Sequence, residues 1–317
     1  MNPLKLISEI PSFFQQQGSS QDVVNILKEE DGQLMLDLEA LKNVLMQESV
    51  ADLPVAIYSI AGTYQTGKSL LLNLFVRYTD TGELLFDTQD DIISGPFPCR
   101  RSLLTGCTKG IFVQKEPITV ATKTHPKVAV FLMDTQGLFD QSTSSEAASL
   151  IMDISLLLSS CHFFNLKSNI EHWHIDKINV FMFLIRDWKN EAYSYGFTDG
   201  KNNQAGQRNY LEDILEKKMS SEEHRNSARR LRETFSTLSC FLFPSPVEAV
   251  EKMAKKDVII TLNDIDKLFK QHASEFFEYL CDEENIVLKK IGNKEVTCRQ
   301  LYDYAARIHF TSVKNSH

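Results

Sequence analysis

The sequence has no long apolar run. Its longest, Val180 to Ile185, falls far short of the roughly 18 residues that a bilayer span needs, so no segment is expected to cross a membrane. The N-terminus opens Met1-Asn2-Pro3-Leu4-Lys5 without the apolar core and small-residue site of a secretory signal. Cysteine is sparse and scattered: six residues, no C-x-x-C pair, and no small secreted framework that would need stapling. The thiols read as reduced, in a cytoplasmic protein. A basic surplus is missing as well. With 34 Lys and Arg against 42 Asp and Glu the net charge is -8, which argues against a nucleic-acid partner, whose phosphates are held by clustered cations. No internal repeat appears.

What is present is a chain of 317 residues with 43% apolar content, enough for one large domain. The polar stretch Gln15 to Gln21 predicts a mobile leader over 1–21, followed by a domain over 22–310 and a short tail over 311–317. Val23 to Leu27 and Gln33 to Leu38, joined by Glu30-Asp31-Gly32, predict an entry hairpin, and Leu41, Val44 and Leu45 a helix after it. Pro54 to Ala61, Lys127 to Met133, Ile178 to Ile185 and Leu238 to Phe243 are continuous apolar runs of strand length, the pattern of strands covered on both faces. Helices are expected at Leu70 to Phe75, Ser145 to Leu158, Tyr210 to Lys218 and Glu222 to Thr237, with a mostly helical tail over 262–308. Alternation of this kind gives an α/β fold with a doubly wound, mainly parallel sheet flanked by helices.

Gly62-Thr63-Tyr64-Gln65-Thr66-Gly67-Lys68-Ser69 fits G-x-x-x-x-G-K-[ST] and lies between a predicted strand and a predicted helix that opens at Leu70. The glycines let backbone N–H groups turn toward phosphates, Lys68 reaches the outer ones, and Ser69 is a candidate magnesium ligand. Asp134-Thr135-Gln136-Gly137 follows directly on a strand, so Asp134 can hold a magnesium-bound water and the Gly137 N–H can meet a terminal phosphate. Such a turn also occurs for purely structural reasons. Arg186-Asp187 closes another strand. A carboxylate there can accept from N1–H and the 2-amino group of guanine, a donor pair adenine lacks, though a surface ion pair would look the same. Nothing in the glycine loop alone excludes ATP.

Together these residues resemble the atlastin and guanylate-binding-protein branch of the dynamin-like large GTPases, over about Asp22 to Ile308. The resemblance rests on the glycine loop, TKGI from Thr108, DTQG from Asp134, FLIRDW from Phe183, YSYG from Tyr193 and SCFLFPSP from Ser239. It implies a P-loop domain that hydrolyses GTP to GDP with Mg2+ and forms a nucleotide-dependent homodimer. Thr108 corresponds to the switch threonine that completes the magnesium shell, Arg186 and Asp187 to the guanine-reading pair, and the segment after Pro244 to the loop that caps the base. Lys68, Gln65, Thr108 and Gln136 are then the candidate catalytic residues. Atlastins carry a helical middle domain and membrane-spanning segments after this domain. Neither follows before His317, so membrane fusion by this polypeptide alone is not expected, and any tie to the endoplasmic reticulum is a family analogy.

Two departures stand out. Family members usually have an arginine where this chain has Gln65, with Arg100 and Arg101 as substitutes or simply solvated side chains. That favours a second reading, a nucleotide-gated binding module with weak hydrolysis. The connection Lys167 to Lys177 is also short for a parallel crossover, near the roughly dozen-residue minimum. It contains His172 and His174 around Trp173, with no third metal ligand nearby in sequence. The pair Asp134 and Asp140 is not read as a glycosidase pair, and Lys217 to Arg232 is read as a solvated helical face. Restoring a cation tests the first departure: Gln65→Arg is predicted to raise single-turnover GTP hydrolysis at high protein concentration, by up to roughly 10³-fold. An unchanged or lower rate of phosphate release would count against it.

Overall fold

A computed structural model describes residues 22–30, 33–63, 66–82, 84, 95–97, 110–137, 144–167, 180–198, 209–217, 237–246 and 262–315, with single positions between 222 and 233. The thirteen strands of these residues are β1 (Val23–Asn25), β2 (Leu27–Glu30), β3 (Gln33–Leu36), β4 (Val55–Gly62), β5 (Ile111–Gln114), β6 (Ile118–Val120), β7 (Val128–Thr135), β8 (Cys161–Lys167), β9 (Val180–Arg186), β10 (Gly196–Phe197), β11 (Thr237–Leu242), β12 (Lys290–Ile291) and β13 (Lys294–Glu295). Six α-helices accompany them: α1 (Leu38–Leu45), α2 (Lys68–Thr81), α3 (Ser145–Leu158), α4 (Tyr210–Lys217), α5 (Lys267–Cys281) and α6 (Cys298–Asn315).

The main sheet runs β1-β5-β7-β4-β8-β9-β11-β10, with β6 alongside β7. Its five central strands, β7-β4-β8-β9-β11, are parallel, and its margins are antiparallel. The apolar runs explain this. In β4, Val55, Ile57 and Ala61 enter one core while Ala56, Tyr58 and Ile60 enter the other. In β7, Ala129, Phe131 and Met133 likewise oppose Val128, Val130 and Leu132. A strand apolar on both faces needs helices on both faces. The first core is closed by α1, α3, α4 and α6, the second by α2 and α5.

Helix limits follow local chemistry. Asp37 caps α1 by accepting from the N–H groups of Glu39 and Ala40, and Ser144 caps α3 through Ala147 N–H. Helix α2 starts at Gly67 and stops at Gly82, both in the left-handed region. The stretch 222–233 belongs to the predicted helix Glu222 to Thr237, most of which lies outside the described residues.

The entry hairpin needs a correction. Val23 to Leu27 does not form its first arm: β1 instead pairs antiparallel with β5, while the hairpin is β2 against β3, with Glu30 opposite Gln33. The break falls at Asn25, whose Oδ1 accepts from both Leu27 N–H and Ile111 N–H and sends the two halves to different sheets. The tail is mostly helical as expected, through α5 and α6, with β12 and β13 forming a small hairpin around Gly292 between them.

Behind the sheet lies one buried titratable knot. His162 of β8 is fully buried, with its Nδ1 hydrogen-bonded to Ser59 Oγ of β4 and 3.4 Å from Ser155 Oγ of α3. Burial pushes its pKa down to about 3. An unfolded chain would take up a proton near pH 6.5 that the folded chain refuses until about 3. The contribution is therefore complete above pH 6.5 and is lost as pH falls, by up to about 1.4 kcal/mol per pH unit. Urea midpoints measured from pH 7 to pH 5 are expected to fall more steeply for the wild type than for His162→Gln; parallel slopes would refute the assignment.

Candidate nucleotide-binding site

Parallel strands deliver their carboxyl ends to one edge, and the predicted residues gather there. Strand β4 ends at Gly62, β7 at Asp134-Thr135, β8 at Lys167 and β9 at Arg186. Gly62 has φ of 143°, and a Cβ there would stand 2.1 Å from the Asn165 carbonyl oxygen of β8. Only glycine allows β4 and β8 to meet this closely before the loop turns away. Asn165 holds the far side of that loop as well, donating from Nδ2 to the Thr66 carbonyl at 2.9 Å. Thr66 Oγ1 donates to the Thr63 carbonyl at 2.8 Å and tightens the curl.

Lys68 opens α2 and is buried inside the curl, its ammonium donating to the carbonyls of Thr63 at 3.0 Å and Gly62 at 3.4 Å. Burial lowers its pKa, partly opposed by the Asp134 carboxylate. Ser69 Oγ donates to Asp134 Oδ2 at 2.6 Å, joining the start of α2 to the end of β7. Leu70 continues the helix, half-buried. These oxygens are hard donors that fit a small divalent cation such as magnesium. Among the described residues, no group of three or more His, Cys, Asp and Glu could hold a metal otherwise.

In the turn after β7, Gln136 and Gly110 bond reciprocally: Gly110 N–H donates to Gln136 Oε1 at 3.0 Å, and Gln136 N–H to the Gly110 carbonyl at 2.8 Å. Gly110 immediately follows Thr108-Lys109, so the DTQG turn is tied to the end of the TKGI motif. Gly137 is buried beside it.

At the end of β9, Arg186 and Asp187 part company. The guanidinium of Arg186 is buried, its carbon 4.9 Å from the Phe269 ring centroid and 5.5 Å from that of Phe243. It faces the phosphate loop, since a Cβ on Gly67 would lie 3.6 Å from Nη1 and Nη2. Burial brings its pKa down to about 10, against the opposing pull of Asp187. Its Nε and Nη1 have no hydrogen-bond partner among the described residues. Asp187 turns the other way, with φ of 57°, the one positive value among the described non-glycine residues. Its carboxylate is partly exposed, 3.7 Å from Lys167 Nζ. Behind it, buried Trp188 bonds through its backbone N–H to the Phe243 carbonyl and packs on Tyr210 at 4.5 Å, which holds the unusual backbone in place.

Tyr64, Gln65 and Thr108 lie outside the described residues, as do Arg100, Arg101, Asp140, His172, Trp173, His174 and the segment 247–261. Asn165, Phe243 and Phe269 were not singled out from sequence. The signal for Asn165 was available: it is a polar residue inside the apolar run Phe163-Phe164-Asn165-Leu166.

The family model of the guanylate-binding protein N-terminal domain matches residues 31–182 and 176–290. The chain belongs to the atlastin and guanylate-binding-protein family of dynamin-like large GTPases. It is 33% identical to atlastin-2 of Homo sapiens over 302 residues, covering 87% of this chain and 49% of that protein. It is 29% identical to atlastin-3 of Homo sapiens, covering 89% and 55%, and 28% identical to atlastin-1 of Bos taurus, covering 88% and 52%. The chain thus spans about half the length of these relatives. A likeness to the solved structure of Aquifex aeolicus Era bound to GDP and AlF4−, at 14% identity and a TM-score of 0.25 over 68% of this chain and 58% of that one, is too slight to bear on the fold. The two matched segments of the family model meet at 176–182, beside the short connection noted in the sequence.

The contact at Gly62 yields a stability test. Gly62→Ala is expected to cost about 3 kcal/mol or more, from the clash with Asn165 and the disfavoured φ. Gly292→Ala, with nothing within 4 Å of the added methyl and a φ of 61°, serves as the control and is expected to cost about 1 kcal/mol. Equal urea midpoints for the two variants would contradict this account of the strand contact.

Proposed function

We propose that this chain binds a guanine nucleotide with magnesium and hydrolyses GTP to GDP and phosphate. The observation that carries the reading is the pair of buried cations, Lys68 within the phosphate-loop curl and Arg186 against Gly67, gathered where α2 begins. Burial lowers both pKa values, and Asp134 and Asp187 only partly oppose it, so both cations would gain from further negative charge nearby. A triphosphate at the positive end of α2 supplies it.

In this reading Gly62 to Ser69, Tyr64 and Gln65 included, wraps the phosphates, and Leu70 continues the helix behind them. Ser69, Thr108 and Asp134 hold magnesium, which when bound neutralises charge on the phosphate oxygens. Lys68 meets the outer phosphates, and Gly137 N–H meets the terminal one. Water attacks the terminal phosphorus, the bond to the bridging oxygen breaks with its electrons leaving on GDP, and the water proton ends on the released phosphate. Gln136 keeps the two turns in register through Gly110 and helps place the water. Asp187 reads the base, with Arg186 packed behind it. Nucleotide-dependent pairing of two copies accompanies turnover, by likeness to the family. The domain proper is taken as 22–310. Among the described residues no helix is long and apolar enough to cross a membrane. A cytoplasmic location, with association to the endoplasmic reticulum by family likeness, is part of the proposal.

Weak hydrolysis within a nucleotide-gated binding module is the second reading, favoured by Gln65 in place of arginine. Single-turnover phosphate release distinguishes the two, because release above background that vanishes in Lys68→Ala requires an enzyme. Base selectivity tests Asp187: Asp187→Asn is expected to weaken GTP binding by roughly 10²-fold, the scale of hydrogen bonds to a charged acceptor. Competition by GTP and ATP against a labelled nucleotide provides the measurement. Retained preference for GTP in the variant would remove Asp187 from base recognition.

A further inference from the structure

Two asparagines interrupt apolar sequence near the phosphate loop, and they use their amides differently. Asn73 of α2 directs both groups to one residue: Nδ2 donates to the Phe97 carbonyl at 2.9 Å, and Oδ1 accepts from Phe97 N–H at 3.0 Å. That pairing closes on itself and accounts for a buried amide. Asn165 of β8 is also buried, but among the described residues its side chain has one bond, from Nδ2 to the Thr66 carbonyl, and its Oδ1 accepts from none of them. Leucine would fill the place without that desolvation cost, so packing alone does not account for asparagine here.

The placement of Asn165 does account for it. Phe163, two residues earlier on β8, enters the core shared with α2, and side chains two apart on a strand share a face, so Asn165 looks toward the start of that helix. Backbone register sets it opposite Gly62, where the loop leaves β4. The carbonyl it holds belongs to the peptide between Thr66 and Gly67, and Gly67 is the residue that caps α2. A trans peptide is planar and carries its C=O and N–H on opposite sides. A carbonyl drawn to β8 therefore turns Gly67 N–H away from that strand. Arg186 backs the same peptide, since a Cβ on Gly67 would lie 3.6 Å from its guanidinium nitrogens. The one bond that Asn165 makes thus sets the direction of an amide at the positive end of α2.

We infer that Asn165 is a positioning residue: it orients the Thr66–Gly67 peptide so that Gly67 N–H meets the second phosphate of a bound nucleotide. The inference rests on the proposed nucleotide function and deepens it. Acting through that peptide, Asn165 contributes to the grip on the β-phosphate and leaves the base untouched. Asn165→Leu removes the donor and keeps the bulk, while Asn165→Ala removes the donor and adds none. Affinities for GDP and GMP, measured with magnesium by competition against a fluorescent guanine nucleotide, provide the test. In both variants GDP is expected to bind about tenfold more weakly, the scale of one hydrogen bond, and GMP to stay within about twofold of wild type. Retained GMP binding also reports that the variant is folded. Equal losses for GMP and GDP make the effect structural and overturn the inference, as does a GDP affinity that stays at the wild-type level. A wild type that binds GMP as tightly as GDP overturns it too, since the β-phosphate then adds no affinity. If Asn165→Leu alone loses all nucleotide binding, Asn165→Ala decides by the same ratio. A wild type that binds no guanine nucleotide removes the functional reading itself, and the positioning role falls with it.

Discussion

The structure depends on the close approach of β4 and β8 at Gly62. Two parallel strands converge there until the Asn165 carbonyl occupies the place where any side chain on residue 62 would begin. That contact fixes where β4 ends, hence where the loop must turn and where α2 must start. The second hold on the loop, from Asn165 Nδ2 to Thr66, comes from the same residue. One strand thus sets both ends of the curl that surrounds Lys68.

From this constraint the electrostatics follow. A parallel sheet covered on both faces leaves its carboxyl edge for polar work, and there Lys68, Asp134 and Arg186 are buried and Asp187 half-buried, with Lys167 exposed beside them. Lys68 and Arg186 pay for their burial through lowered pKa values, while Asp134 and Asp187 only partly compensate. Two cations kept out of water at one edge of a sheet concentrate positive charge there before any ligand arrives. The aromatic walls of Phe243 and Phe269 hold the Arg186 guanidinium flat, and the turn of Asp187 into the left-handed region separates the acidic group from its basic neighbour.

Polar residues inside apolar runs tie these pieces together. Asn73 in α2, Asn165 in β8 and His162 beside it interrupt hydrophobic sequence, and each bonds to a part of the chain distant in sequence. Burial without a partner would cost more than a local element can repay, so such a residue marks a place where two elements meet. The two segments of the family match overlap at residues 176–182, in the connection between β8 and β9.

The sequence by itself determined the central strands β4, β7, β9 and β11, the helix α3, and the glycine loop that α2 continues, because two-sided apolar runs and the glycine pattern are local signals. It also named Lys68, Ser69, Asp134 and Asp187, whose motifs are contiguous. It misplaced the entry hairpin, since the choice between β3 and β5 as the partner of β1 turns on contacts across more than eighty residues of chain, among them the bond from Ile111 N–H that Asn25 Oδ1 accepts. It was silent on Asn73, Asn165 and the ring pocket of Arg186. Those roles exist only once strands and helices are stacked, because a buried amide or guanidinium takes its meaning from the groups that burial brings within reach.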